Sequence, residues 1–129
     1  MVFPQNEPIL AYLSGSAERA ALEVALTRGQ EENIAFHSII NGKFVPGSKL
    51  HHFVQPHDHQ HTLGTYSEVS TKECDSAIDG ALSVFPEWSS SSLAYRAGIF
   101  LKAAELVAGP YRARLNAATM LGQSKNVYQ

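Results

Sequence analysis

All six histidines of this 129-residue chain fall between His37 and His61, and the run His57-Asp58-His59-Gln60-His61 places three imidazoles at alternate positions. In an extended strand such side chains share one face about 7 Å apart, and imidazoles so arranged can ligate zinc or copper. Pro56 and Asp58 read instead as a turn, where alternation fails, and consecutive imidazoles on a loop are commonly just solvated. No metal site is therefore assigned, and any role of the histidines over 51–61 stays open. Cys74 is the one thiol. A thiolate near a helix N-terminus gains from the helix dipole, but Cys74 falls on the apolar stripe of its helix with no neighbouring activating base in sequence, and reads as a small core or semi-core residue. Glu31-Glu32 reads as solvated surface charge. The nine glycines form neither a G-x-G-x-x-G turn nor a G-x-x-x-x-G-K-[ST] loop, and Gly122-Gln123-Ser124-Lys125 is a helix exit with one basic residue. The residues alone thus nominate no catalytic, cofactor-binding or metal-ligating set.

The elements that would position these side chains follow from periodicity. Ser16 is placed to cap a helix running to about Arg28, with Ala17, Ala21, Val24 and Ala25 along one face, Leu22 and Leu26 beside it, and Gly29 at the C-terminal cap. Asn41-Gly42, between Ser38-Ile39-Ile40 and Lys43-Phe44-Val45, predicts a type I′ hairpin over about 36–46. A second strand pair, 50–55 and 61–68, follows around the Pro-Asp turn. From Ser70 the period changes to 3.6. Ser70 and Glu73 have capping-box spacing, and Cys74, Ala77, Ile78, Ala81, Leu82 and Phe85 form one stripe that Pro86 ends by removing a donor, leaving Trp88 to dock beside the exit. Ser89 to Ser92 connect to a helix over 93–108 that is apolar on most sides and so must be covered on more than one face. Gly109-Pro110 closes it, Pro110 opening the first turn of a last helix to about Gly122. The expected class is an α+β fragment: helix, two β-hairpins, three helices, in one unit over 1–129.

Composition narrows the function. Ten Lys and Arg against twelve Asp and Glu leave a net charge of -2, without the basic footprint that nucleic acid or an anionic membrane requires. Only 17% of residues are charged and 44% are hydrophobic, a balance suited to part of a larger assembly. One cysteine excludes an intrachain disulfide and a multi-cysteine zinc site. No apolar run approaches the roughly 18 residues of a membrane span. Met1 to Pro8 carries neither signal-peptide nor transit-peptide character, so the chain is expected to be cytoplasmic unless a targeting segment is missing.

NEPILAY at 6–12, the helix from Ala17 to Arg28, the turn over 55–61 and RAGIFLKAAELVAGPYRARLNAATMLGQSK at 96–125 together resemble the start of the pyrroline-5-carboxylate dehydrogenases, relatives of the aldehyde dehydrogenases. The resemblance covers nearly the whole chain and implies the amino-terminal part of an α/β cofactor domain. It implies an NAD-dependent oxidation of glutamate γ-semialdehyde to glutamate in proline breakdown, in a homo-oligomer of the mitochondrial matrix. It also implies that the family's nucleophilic cysteine, glutamate base and dinucleotide loop lie downstream of anything matching Gln129, so this chain alone is expected to bind no NAD. Cys74 matches no functional position of the family. Two departures stand out: Ser124 and Gln60 occupy places where the family usually has glycine, with its freedom at positive φ. A non-catalytic module that docks on a full-length dehydrogenase subunit is the alternative reading.

Overall fold

The structure, a computed structural model, describes residues 5–129. Met1 to Pro4, where the reading for a targeting segment begins, lie outside the described residues. The order is α1 (Ala17–Glu31), β1 (Ile34–Phe36), β2 (Ser38–Ile40), β3 (Lys43–Val45), β4 (Lys49–Gln55), β5 (Asp58–Glu68), α2 (Thr71–Ser90), α3 (Leu93–Ala108) and α4 (Arg112–Gln123). β2 and β3 form an antiparallel ribbon closed by Asn41 and Gly42, both left-handed at φ 51° and 73°, as a type I′ turn demands. β4 and β5 form the second hairpin, and β5 also pairs in parallel with β1, giving a sheet ordered β1-β5-β4. β1 is not foreseen: its three residues become a strand only through Ile34 to Phe36 lying beside Gly64 to Tyr66, a pairing thirty residues long that no local pattern encodes.

The core lies where α1 crosses α4. Tyr12, Leu22 and Ala117 are buried there, with Leu10, Ala25, Leu26, Met120 and Val127 packed around them. The buried face of α1 is Leu22, Ala25, Leu26 and Gly29, whereas Ala17, Ala21 and Val24 are exposed, so the expected stripe is rotated. Gly29 is not a cap, because α1 continues to Glu31 and is capped by Glu32. It faces α4 so closely that a Cβ would sit 2.8 Å from Leu121 Cδ1, so a larger residue there has to displace the end of that side chain. The lead segment straps this pair: Arg112 Nη1 donates to the Pro8 carbonyl at 3.0 Å, Asn116 Nδ2 to the Tyr12 hydroxyl at 2.9 Å, and the Tyr128 hydroxyl to the Ala11 carbonyl at 3.4 Å.

α2 begins as its capping box requires, Ser70 and Glu73 each satisfying the other's backbone N–H. Pro86 does not end it. The helix runs through to Ser90, since a proline removes one donor, the partner of the Leu82 carbonyl, and Leu82 is exposed, where water can take that bond. The Ser89, Ser90 and Ser91 hydroxyls donate to the carbonyls of Pro86, Glu87 and Trp88 at 3.0, 3.0 and 2.7 Å, and the Arg96 guanidinium donates to those of Trp88, Ser89 and Ser91. Trp88 is accordingly a helical residue, and the connection to α3 shrinks to Ser91 and Ser92, whose hydroxyl caps Tyr95 N–H at 3.2 Å. α3 occupies 93–108 as read from its pattern. Tyr111 is the N-cap of α4, so Pro110 stands just outside that helix rather than in its first turn. Neither α2 nor α3 holds a single buried residue.

Candidate functional site

The histidines diverge. β5 starts at Asp58, so the turn is only Pro56 and His57, and His59 and His61 do alternate along a strand, contrary to the reading of a turn over 57–61. His57 and His61 nevertheless turn to different partners. His57 Nδ1 lies 2.7 Å from Ser124 Oγ, and His61 Nε2 donates to the Gln30 carbonyl at 3.0 Å. That bond commits the His61 Nε2 proton and leaves the ring's lone pair on Nδ1. His51 stacks on Tyr66 at 5.1 Å and sets its Nε2 2.6 Å from Glu68 Oε1, while His37 lies edge-on to Phe44. His59 is exposed. Among the described residues no group of three His, Cys, Asp or Glu side chains converges to hold a metal ion.

Cys74 is exposed, which corrects its reading as a core residue. The stripe it belongs to is genuine, but no described residue covers that face: Ile78, Leu82 and Phe85 are 57%, 63% and 61% exposed. Glu32 pairs with Arg28 at the end of α1, while Glu31 is exposed. Ser124 takes the left-handed conformation at φ 54° and ψ 35°, the geometry a glycine would adopt without cost, with its hydroxyl held by His57. Gln60 sits within β5, where no positive φ is needed.

The hollow that pattern reading missed lies between α1, α4 and the sheet. It has a volume of about 410 Å³ and is walled by Val24, Phe36, Phe53, Leu63 and Leu121, with Arg28, Glu32 and Arg114 as its charged groups. Its only signal in the sequence is the alanine on both helices, Ala21 and Ala25 in α1 and Ala113, Ala117 and Ala118 in α4, which lets the backbones converge although ninety residues separate them. Two carboxylates are electrostatically tuned. The Ser70 backbone N–H and then its hydroxyl hold Glu73 below its ordinary 4.5, and Glu18 is lowered chiefly by its own backbone N–H. Both are cap residues rather than acids in a cleft.

A dinucleotide needs a pyrophosphate cradle of free backbone N–H groups at a helix start. Three of the four helix starts already give N–H groups to a serine hydroxyl, that of Ser16, Ser70 or Ser92. The fourth, at Tyr111, has no glycine-rich turn. The described residues do not fit NAD. What the arrangement can do is hold a scaffold and present apolar faces.

Residues 44–129 match the model of the aldehyde dehydrogenase family. The chain is similar to the delta-1-pyrroline-5-carboxylate dehydrogenase of Agaricus bisporus, 44% identical over 126 residues that make up 96% of this chain and 23% of that protein. The mitochondrial enzyme of the same name from Mus musculus is 40% identical over 96% of this chain and 22% of its own length. Among solved structures, the pyrroline-5-carboxylate dehydrogenase of Mycobacterium tuberculosis bound with NAD superposes with a TM-score of 0.93 at 37% identity, covering 99% of this chain and 24% of that one. The chain spans under a quarter of the length of the relatives it matches.

Proposed function

The chain belongs to the aldehyde dehydrogenase family, and from that premise we propose that it is the amino-terminal part of the cofactor domain of an NAD-dependent pyrroline-5-carboxylate dehydrogenase. The complete subunit oxidises glutamate γ-semialdehyde to glutamate in proline catabolism, and this segment supplies scaffold rather than chemistry. The observation that carries the reading is coverage: 96% of the chain aligns in sequence and 99% in fold with such enzymes. The uncovered faces of α2 and α3 support it, since a segment built to be covered needs the rest of its subunit. The nucleophilic cysteine, the glutamate base and the NAD loop belong to that remainder, and residues 1–129 form one incomplete unit. The subunit assembles as a homo-oligomer. Its place is the mitochondrial matrix, in line with the mouse and human relatives, whose names include that organelle.

The test is complementation. The chain alone, given NAD and the semialdehyde, should form no NADH above buffer. Co-expressed with the matching remainder of the Agaricus bisporus relative, it should co-purify as a soluble complex that oxidises the semialdehyde. Turnover by the chain alone that disappears in Cys74→Ala would overturn the reading, as would failure to associate with the remainder. Docking on an intact full-length subunit would favour an interaction module instead.

A further inference from the structure

The β2–β3 ribbon is a two-stranded sheet of its own, with three residues in each strand, and a ribbon of that size is marginal in water. Its turn, Asn41-Gly42, is exposed. Asn41 also serves a second element. Its Nδ2 donates to the Ser76 carbonyl of α2 at 3.3 Å, with Ser76 Oγ at 3.5 Å, and the amide lies over Gly80, where a Cβ would collide with it. Among the described residues α2 packs chiefly against β2, the strand that runs into this turn.

We propose that Asn41 is a spontaneous deamidation site, and that its conversion releases α2 from the hairpin. The backbone nitrogen of Gly42 attacks Asn41 Cγ, the side-chain amide nitrogen leaves as ammonia carrying the Gly42 proton, and a five-membered succinimide closes. Water then opens the ring at either carbonyl, giving aspartate or isoaspartate. The sequence consumes one water, releases one ammonia and needs no oxidant or reductant. Gly42 suits the attack because it has no side chain to shield the nitrogen and nothing lies within 4 Å of where a Cβ would be. Asn6, Asn33, Asn116 and Asn126 are followed by Glu, Ile, Ala and Val, each of which obstructs the same approach. The left-handed turn must open before the nitrogen reaches Cγ, and so short a ribbon opens locally at little cost.

The products cannot keep the hydrogen bond to the Ser76 carbonyl. A carboxylate offers no N–H to the Ser76 carbonyl and sets two acceptors face to face. Isoaspartate also lengthens the backbone of a two-residue turn, on which the pairing of Ser38 with Val45 and of Ile40 with Lys43 depends.

The experiment ages the full chain in mildly alkaline buffer at 37 °C, following each asparagine by peptide mapping with isoaspartate detection. Asn41 should convert about tenfold or more ahead of the other four, the ratio given by one tenfold step in barrier. Hydrogen exchange over residues 71–90 should rise in Asn41→Asp while exchange in α1 stays unchanged. If Asn41→Asp unfolds the whole chain, the converted and unconverted fractions of one aged sample, separated by charge, supply the comparison. The proposal fails if Asn41 keeps its amide in the folded chain while the excised 36–46 peptide loses it. It fails equally if conversion leaves exchange over 71–90 unchanged.

Discussion

The two ends of the sequence, α1 with α4, and the middle helices α2 and α3 all carry apolar faces, α3 the most apolar of the four, but they end in opposite conditions. α1 and α4 bury Leu22, Ala117 and Leu121 against one another. α2 and α3 bury nothing, and leave Phe85, Leu93 and Phe100 at 61%, 75% and 67% exposure. The difference lies in what each pair meets. Small residues at Gly29 and Ala117 let one pair close on itself, whereas the large side chains of α2 and α3 point toward a surface that the described residues do not supply. An apolar face therefore reports that a partner is needed, and only the small residues opposite it report that the partner is internal.

The comparison is sharpest under truncation. Leu22→Ala should cost about 3 kcal/mol and erase the hydrogen-exchange protection of α1 and α4. Phe100→Ala should change that protection by less than about 0.5 kcal/mol in the chain alone, while reducing its binding of a hydrophobic dye. Equal losses in the two variants would break the contrast. Next in size is Gly29→Ala, which drives a methyl group against Leu121 Cδ1. Overpacking of this kind costs about 1–3 kcal/mol, despite alanine's better helix propensity, and a lowered thermal midpoint would register it.

The smallest effect is expected at the start of α2. Glu73 has its carboxyl pKa depressed in the folded chain, so its contribution is complete above the ordinary value of 4.5 and disappears as pH falls through the folded value. Helicity of residues 71–80 should weaken below about pH 4.5. Ser70→Ala should flatten that dependence, because the hydroxyl and the cap geometry that lower the pKa go with it. An unchanged pH profile in Ser70→Ala would separate the cap from the titration.

What could be read from the sequence alone was what neighbours dictate. The capping box of Ser70 and Glu73, the Asn41-Gly42 turn and the bounds of α3 are each set by residues within a turn of one another. Most of the failures are non-local. Gly29 looks like a cap until α4 is known to press on it, and β1 is unremarkable until β5 lies beside it. Pro86 looks like an end because sequence does not show that the helix around it stays exposed, where water can take the Leu82 carbonyl it leaves without a partner. Cys74 lies on an apolar stripe, and a stripe cannot reveal that its face is uncovered. The imidazoles of 57–61 likewise share a sequence neighbourhood, while the fold sends His57 to Ser124 and His61 to Gln30. The family resemblance through 96–125 did reach further, because it compares whole arrangements rather than local periods.

The straps that join Pro8, Ala11 and Tyr12 to Arg112, Tyr128 and Asn116 also set a schedule for synthesis. α1 leaves the ribosome roughly eighty residues before α4, which at about 5–20 residues per second is a wait of some 4–16 seconds. Throughout that interval Leu22 and Leu26 have no partner, and the nascent chain offers them to whatever apolar surface comes first. A cluster of slow codons between α1 and α4 would prolong that exposure, and a chaperone that shields α1 should raise the yield of folded protein more than one that binds after release.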